Sequence, residues 1–168
     1  MPWIPERIRW AVELLDVDPA DRILEIGCGN GVAAGLVCDS IEDGHLTAID
    51  RSATSIARAR ERNAHHLEAG CLTLACCDLA GFPGEGAPFD KVFAVNVNLF
   101  WAKDASREIE RLEGLVAPGG RLWLVSEAPD PARMGAELAP SIAERLRRVG
   151  FSPRVETTER LCAVIARH

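Results

Sequence analysis

No stretch of this 168-residue chain supplies the roughly 20 consecutive apolar residues that a membrane-spanning helix needs. The opening residues, Met1-Pro2-Trp3-Ile4-Pro5-Glu6-Arg7, have no apolar run behind their basic residue, so a secretory signal is not expected and a cytoplasmic location is. Positive charge is scarce: 19 Lys and Arg stand against 25 Asp and Glu, a net charge of −6. That balance argues against a nucleic-acid partner, because binding to a phosphate backbone rests on clustered cations. The two local basic groups, Arg58/Arg60/Arg62 and Arg145/Arg147/Arg148, are interleaved with apolar positions and read as solvated helix faces. None of the six cysteines, at 28, 38, 71, 76, 77 and 162, has a Cys-x-x-Cys partner of the kind that marks zinc or redox sites. Cys71, Cys76 and Cys77 lie in an apolar run, where cysteine serves as a small, reduced, buried hydrophobe. Repeats, low-complexity tracts and long linkers are also missing, so residues 1–168 read as one domain opening with an N-terminal helix over residues 1–20.

What is present is an ordinary globular mixture, 48% hydrophobic and 26% charged. A chain of this length buries a core without disulfides or metals. Ile4, Ile8, Val12 and Leu15 recur at helical spacing. Short β-rich runs then alternate with helical stretches. Strands are expected at Arg22–Ile26, Leu46–Asp50, Leu72–Cys76, Asp90–Asn96 and Leu122–Val125. Between them lie helices traced by Val32, Leu36, Val37 and Ile41, by the segment that Ser52 caps, and by Ile109, Leu112, Leu115 and Val116. Pro118-Gly119-Gly120 is a stop-and-turn signal. A last helix follows Leu138, Ile142, Leu146 and Val149, and two closing strands, Phe151–Thr157 and Leu161–Arg167, form an antiparallel hairpin. Alternation of this kind implies α/β architecture: a doubly wound, mostly parallel, seven-stranded sheet covered on both faces. Ligands in such sheets bind beyond the carboxyl ends of the strands, where strand order reverses.

The segment Glu25-Ile26-Gly27-Cys28-Gly29-Asn30-Gly31 lies between the first strand and its helix. Glycines there let the backbone turn sharply and approach a ligand. The third glycine follows the second by two residues, which departs from the Gly-x-Gly-x-x-Gly of nicotinamide-binding folds. Asp50 ends the second strand and Asp78 follows the third, where carboxylates can accept hydrogen bonds from ribose or base. With this order of motifs the chain resembles the class I S-adenosylmethionine-dependent methyltransferases, from about residue 21 to the end. The resemblance implies a Rossmann-like fold with S-adenosylmethionine as cofactor and S-adenosylhomocysteine as product. It also implies a glycine loop beneath the methionine moiety, Asp50 on the ribose and Asp78 within Cys77-Asp78-Leu79 on the adenine amino group. The implied cofactor-binding set is Glu25, Gly27, Cys28, Gly29, Gly31, Asp50, Arg51, Cys77, Asp78, Leu79 and Asn96. Glu25 either orients the loop or meets the methionine amino group.

The acceptor is expected after the fourth strand, at Asn96-Val97-Asn98-Leu99-Phe100-Trp101-Ala102-Lys103-Asp104. Asn96 matches the first position of the Asn-Pro-Pro-aromatic motif of amine- and amide-methylating relatives, but the prolines are absent, so that substrate class does not carry over. Asn96 and Asn98 are candidates to position the acceptor or else to satisfy local backbone groups, Phe100 and Trp101 to wall its pocket or else to pack in the core, and Glu127 to act as base. Lys103 and Asp104 alternatively only begin the next helix. The four histidines fall away from the strand ends, so a histidine base is not expected. Asp104 and Glu127 are too few to hold a metal, and none is expected. A small organic acceptor is favoured over a protein, and an open site would also suit completion by a second subunit in a homodimer. The competing reading is a non-catalytic S-adenosylmethionine-binding partner subunit; a nicotinamide oxidoreductase ranks behind both. Trp3 on the opening helix is either a lid residue or an anchor on the fold.

Overall fold

The computed structural model describes residues 3–101 and 105–168. The chain begins with α1 (Glu6–Leu15), β1 (Arg22–Ile26), α2 (Val32–Cys38) and β2 (His45–Asp50). It continues through α3 (Ala53–Arg62), α4 (Ala64–Glu68), β3 (Leu72–Cys76), β4 (Phe89–Val95), α5 (Asn98–Trp101) and α6 (Ser106–Glu113). It closes with β5 (Val116–Glu127), α7 (Pro131–Arg133), a π-helical turn (Met134–Leu138), α8 (Ala139–Arg148), β6 (Ser152–Thr157) and β7 (Leu161–Arg167). All seven strands join one sheet in the order β3-β2-β1-β4-β5-β7-β6. β1 to β5 are parallel, whereas β7 runs antiparallel to both β5 and β6. The architecture is the doubly wound seven-stranded sheet that the alternating pattern implies.

Both faces of the sheet are covered, which is why its inner strands read as near-continuous apolar runs. On one face Leu24, Ile26, Val92, Leu122 and Leu124 pack against Ile109, Leu112, Ile142 and Leu146 of α6 and α8. On the other, Ile23, Leu46, Phe93 and Trp123 meet Leu15, Val37 and Ile56 of α1, α2 and α3. Strand order runs outward in opposite directions from β1 and β4, so the crevice between their carboxyl ends is the switch point. Among the described residues no helix is long and apolar enough to cross a membrane.

Several boundaries differ from the sequence reading: α2 ends at Cys38, so Ile41 lies beyond it, β2 and β4 each begin one residue earlier than expected, β4 stops before Asn96, and β6 begins one residue later. Three larger differences have a local cause. α6 stops at Glu113, and Val116 already pairs with Phe89 as the start of β5. Residues 117–120 bulge between the Phe89↔Val116 and Lys91↔Arg121 pairs. Gly119 there has φ +79°, and its amide donates to the His168 carbonyl at 2.8 Å. A bulge accommodates a proline and a left-handed glycine as readily as a turn does, and the two share one local signature. The last helical run begins at Pro131 rather than Leu138, because the Asp130 side chain accepts from the Arg133 amide at 3.0 Å. Pro140 has no N–H to give, and the π-helical turn lies just before it; Leu138, assigned to the core face, is 38% exposed. At the amino end Pro5 is the N-cap of α1, so Ile4 lies outside the helix. Trp3 is exposed, while Trp10 packs against the second core.

Candidate cofactor and acceptor site

The carboxyl ends of β1 to β4 open onto a cleft of about 430 Å³, within the size range of small-molecule sites. Its lining is Ile26, Gly27, Ile49, Asp50, Arg51, Cys77, Asp78, Leu79, Ala80, Asn96, Val97, Asn98, Leu99 and Glu108.

The loop from β1 to α2 forms the floor. The amides of Gly27 and Cys28 both donate to the Ile49 carbonyl, at 2.8 and 3.0 Å, which draws the loop onto the end of β2. Gly27 has φ +73°, and a Cβ there would come within 2.5 Å of Val97 Cγ2, so β1 and β4 close together only over a glycine. Gly29 has φ +53°, yet a Cβ on it would meet nothing within 4 Å. Its missing side chain keeps open space beside the loop. Gly29→Val is therefore expected to cost about 1–2 kcal/mol in backbone strain yet leave a folded protein with weakened binding of the implied cofactor; melting and calorimetric titration check the two halves separately. Gly31 is held differently. The buried Asn63 side chain donates from Nδ2 to the carbonyls of Gly31 at 2.9 Å and Ala59 at 3.0 Å, latching the loop to the end of α3.

Asp50 joins this loop to the next. Its Oδ2 accepts from the Gly29 amide at 2.9 Å and its Oδ1 from the Ser52 amide at 2.8 Å. Each carboxylate oxygen keeps a second lone pair for a ligand hydroxyl. Glu25 stands one residue before the cleft-lining Ile26, buried on the α1–α3 side of the sheet. Its Oε2 has no hydrogen-bond partner among the described residues. Burial, reinforced by the charge of Asp50, pushes its carboxyl up to about 8. Burial also raises the thiol of Cys28 and, against Asp78, that of Cys77, so neither is a ready nucleophile.

Of the residues expected on sequence, Gly27, Asp50, Arg51, Cys77, Asp78, Leu79, Asn96 and Asn98 line the cleft. Glu25, Cys28, Gly29 and Gly31 do not appear in its wall: Cys28, Gly29 and Gly31 build the loop beneath it, and Glu25 lies in β1. Asn96 has φ +56°, and its Oδ1 accepts from the Glu127 amide at 2.7 Å, tying the ends of β4 and β5 together. Phe100 is fully buried in the first core and Trp101 half-buried against it; neither lines the cleft, nor does Glu127. The Glu127 carboxylate is taken up by two guanidinium groups, Arg7 at 3.0 Å on Oε2 and Arg160 at 2.6 Å on Oε1, so both of its oxygens are engaged away from the cleft. Lys103 and Asp104 lie outside the described residues. The histidines are remote from the cleft: His45 meets Thr73 at the start of β2, His65 and His66 are in α4, and His168 contacts the Val116 carbonyl. Sequence reasoning missed Val97, Leu99, Ala80 and Glu108 in the lining, and the Asn63 latch. Val97 and Leu99 belong to the segment already singled out, whereas nothing local marks Glu108 or Asn63.

The model of the methyltransferase domain family matches residues 23–120. Trans-aconitate 2-methyltransferase of Delftia acidovorans is 37% identical over 131 residues, covering 74% of this chain and 45% of that protein. The 27-O-demethylrifamycin SV methyltransferase of Amycolatopsis mediterranei is 32% identical over 139 residues, covering 82% and 48%. The chain thus spans about half the length of the curated relatives it matches. Among solved structures, a SAM-dependent methyltransferase from Aquifex aeolicus superposes with a TM-score of 0.75 at 16% identity, covering 95% of this chain and 88% of the other. The SAM-bound magnesium protoporphyrin IX methyltransferase of Synechocystis does so with a TM-score of 0.72 at 22% identity, covering 96% and 76%. The chain belongs to the methyltransferase domain family, and its fold is that of the class I S-adenosylmethionine-dependent methyltransferases.

Proposed function

We propose that this chain binds S-adenosylmethionine across the carboxyl ends of β1, β2 and β3 and directs methyl transfer to a small organic acceptor held beside β4 and α5. One observation carries the reading: the glycine loop, the Asp50 carboxylate and Asp78 converge on a single cleft at the switch point of the sheet. The unpartnered Oε2 of buried Glu25 beside that loop fits the ammonium of a methionine moiety. Bound there, the cofactor supplies a methyl group already activated on a sulfonium.

The chain's residues then have mainly to hold and align. Asp50, oriented by the amides of Gly29 and Ser52, has free lone pairs for the ribose hydroxyls. Asp78, whose Oδ1 accepts from the Gly81 amide at 2.7 Å, stands ready for the adenine amino group. Asn96 and Asn98 border the acceptor side, and alignment of a nucleophile with the methyl carbon is the larger part of the catalytic task. With the histidines remote and Glu127 held by two arginines, an acceptor that needs no strong base suits the site best. Asp50, Asp78 and Glu108 outnumber Arg51 among the charged residues of the lining. That excess attracts a cationic cofactor and disfavours a polycarboxylate acceptor such as the one named for the Delftia relative.

Calorimetric titration with S-adenosylmethionine, S-adenosylhomocysteine and NAD tests the cofactor half. Binding of both adenosyl compounds and none of NAD is the expected result; failure of the adenosyl compounds to bind removes the proposal. Transfer of labelled methyl to candidate small molecules by the isolated protein tests the catalytic half. Binding without transfer to any acceptor favours a partner subunit that holds the cofactor for another chain.

A further inference from the structure

At the other end of the strands from the cleft, beside the amino end of β3, the end of α2, α4 and the residue before β3 bring together Cys38, His66 and Cys71. Their ligand atoms all lie within 4.8 Å of one another. Cys38 and His66 are buried and Cys71 is half-buried, so the group is neither a chance surface cluster nor sealed from solvent. His66 is oriented within it. Its Nδ1 faces the Cys71 sulfur at 3.8 Å, and its Nε2 meets the exposed Asp39 carboxylate at 3.2 Å.

We propose that Cys38, Cys71 and His66 form a binding site for a soft divalent cation, zinc above all, with Asp39 orienting the imidazole. Two thiolates and an imidazole are the donor set that zinc prefers. With Zn–S about 2.3 Å and Zn–N about 2.0 Å, tetrahedral donors stand roughly 3.5–4 Å apart. A side-chain adjustment of under about 1 Å brings the three atoms to that spacing. The Asp39 contact fixes the proton on Nε2 and leaves the Nδ1 lone pair toward the sulfurs, the carboxylate–histidine arrangement that commonly backs a metal-bound imidazole. Binding exchanges two thiol protons for the cation, which keeps the fourth position for water. The site ties α2 to the α4–β3 connection and thereby steadies, from its far end, the helix that the glycine loop begins. It is independent of the cofactor reading, because no residue is shared with the cleft.

The test uses the full chain, stripped with a chelator, kept in a phosphine reductant and titrated with cobalt(II). One equivalent should give a thiolate-to-metal charge-transfer band in the near ultraviolet and the intense visible bands of tetrahedral cobalt; one equivalent of zinc should abolish both and raise the melting temperature. Cys71→Ser, at a half-buried position where folding is expected to survive, should lose much of the band, while Cys76→Ser should leave it intact. Asp39→Asn should weaken affinity by about 10–100-fold while preserving the shape of the spectrum. Absence of the charge-transfer band at one equivalent, or its survival undiminished in Cys71→Ser, overturns the assignment.

Discussion

Replacing Asp50 with alanine should weaken S-adenosylmethionine binding at least ten-fold while leaving the sheet intact. A hydrogen bond to a charged acceptor is worth about 1.5–3 kcal/mol, which converts to roughly ten- to a hundred-fold in affinity. The side chain also gathers the Gly29 and Ser52 amides, so alanine frees the floor of the cleft as well as removing the ribose acceptor. Asp50→Asn separates the two roles. Its carbonyl oxygen can still accept from one amide, but the charge and the second acceptor oxygen are lost. Calorimetry on both variants, with melting curves as a check on folding, measures the effect. Full affinity in Asp50→Ala would remove this residue from the cofactor site.

The second large effect concerns Glu25 and is read against pH. Burial raises this carboxyl from 4.5 to about 8 in the folded protein. Between those two values the folded state retains a proton that the unfolded state has released, so stability is greatest below the lower value and falls as pH rises toward the upper one. The slope has a ceiling of about 1.4 kcal/mol per pH unit for one group. Glu25→Gln, which stays neutral at every pH, should flatten that decline and raise the melting temperature of the cofactor-free protein by a few degrees at pH 8. Cofactor binding responds in the opposite sense. An ammonium set against Oε2 favours the ionised carboxylate, so binding at neutral pH should release a proton and tighten as pH rises toward 8. Titrations in buffers of different ionisation enthalpy count that proton. Glu25→Gln should abolish its release and weaken binding. A pH-independent affinity in the unsubstituted protein would mean that Glu25 only shapes the loop.

Much of the fold was legible because it is written in short runs. β1 and β3 fall where their β-branched and leucine-rich segments end, and the glycines at 27, 29 and 31 take the left-handed conformations that their spacing between strand and helix suggests. Errors arose where one local signature serves two structures. Pro118-Gly119-Gly120 reads as a turn and is a bulge inside β5, and the choice depends on His168, which arrives at the end of the chain to accept the Gly119 amide. Leu138 has the spacing of a core position but lies in a π-helical turn that shifts it outward.

The order of strands and helices, the glycine loop and the carboxylates at the strand ends depend on contiguous residues, and hydrophobic period and glycine spacing were enough to read them. The chemistry of individual groups depends on distance through space, which no local pattern encodes. Glu127 looked like a free base until Arg7, 120 residues away, and Arg160 closed on it. Glu25 is an ordinary carboxylate on paper, and only the packing of α1 to α3 over its face of the sheet withholds water from it. Cys38 and Cys71, separated by 33 residues and without a metal-binding spacing, become neighbours of His66 because the end of α2 and α4 both lie beside the amino end of β3. Side-chain proximity and dielectric environment are properties of the packed molecule, and they settle which of the legible residues are charged, paired or available.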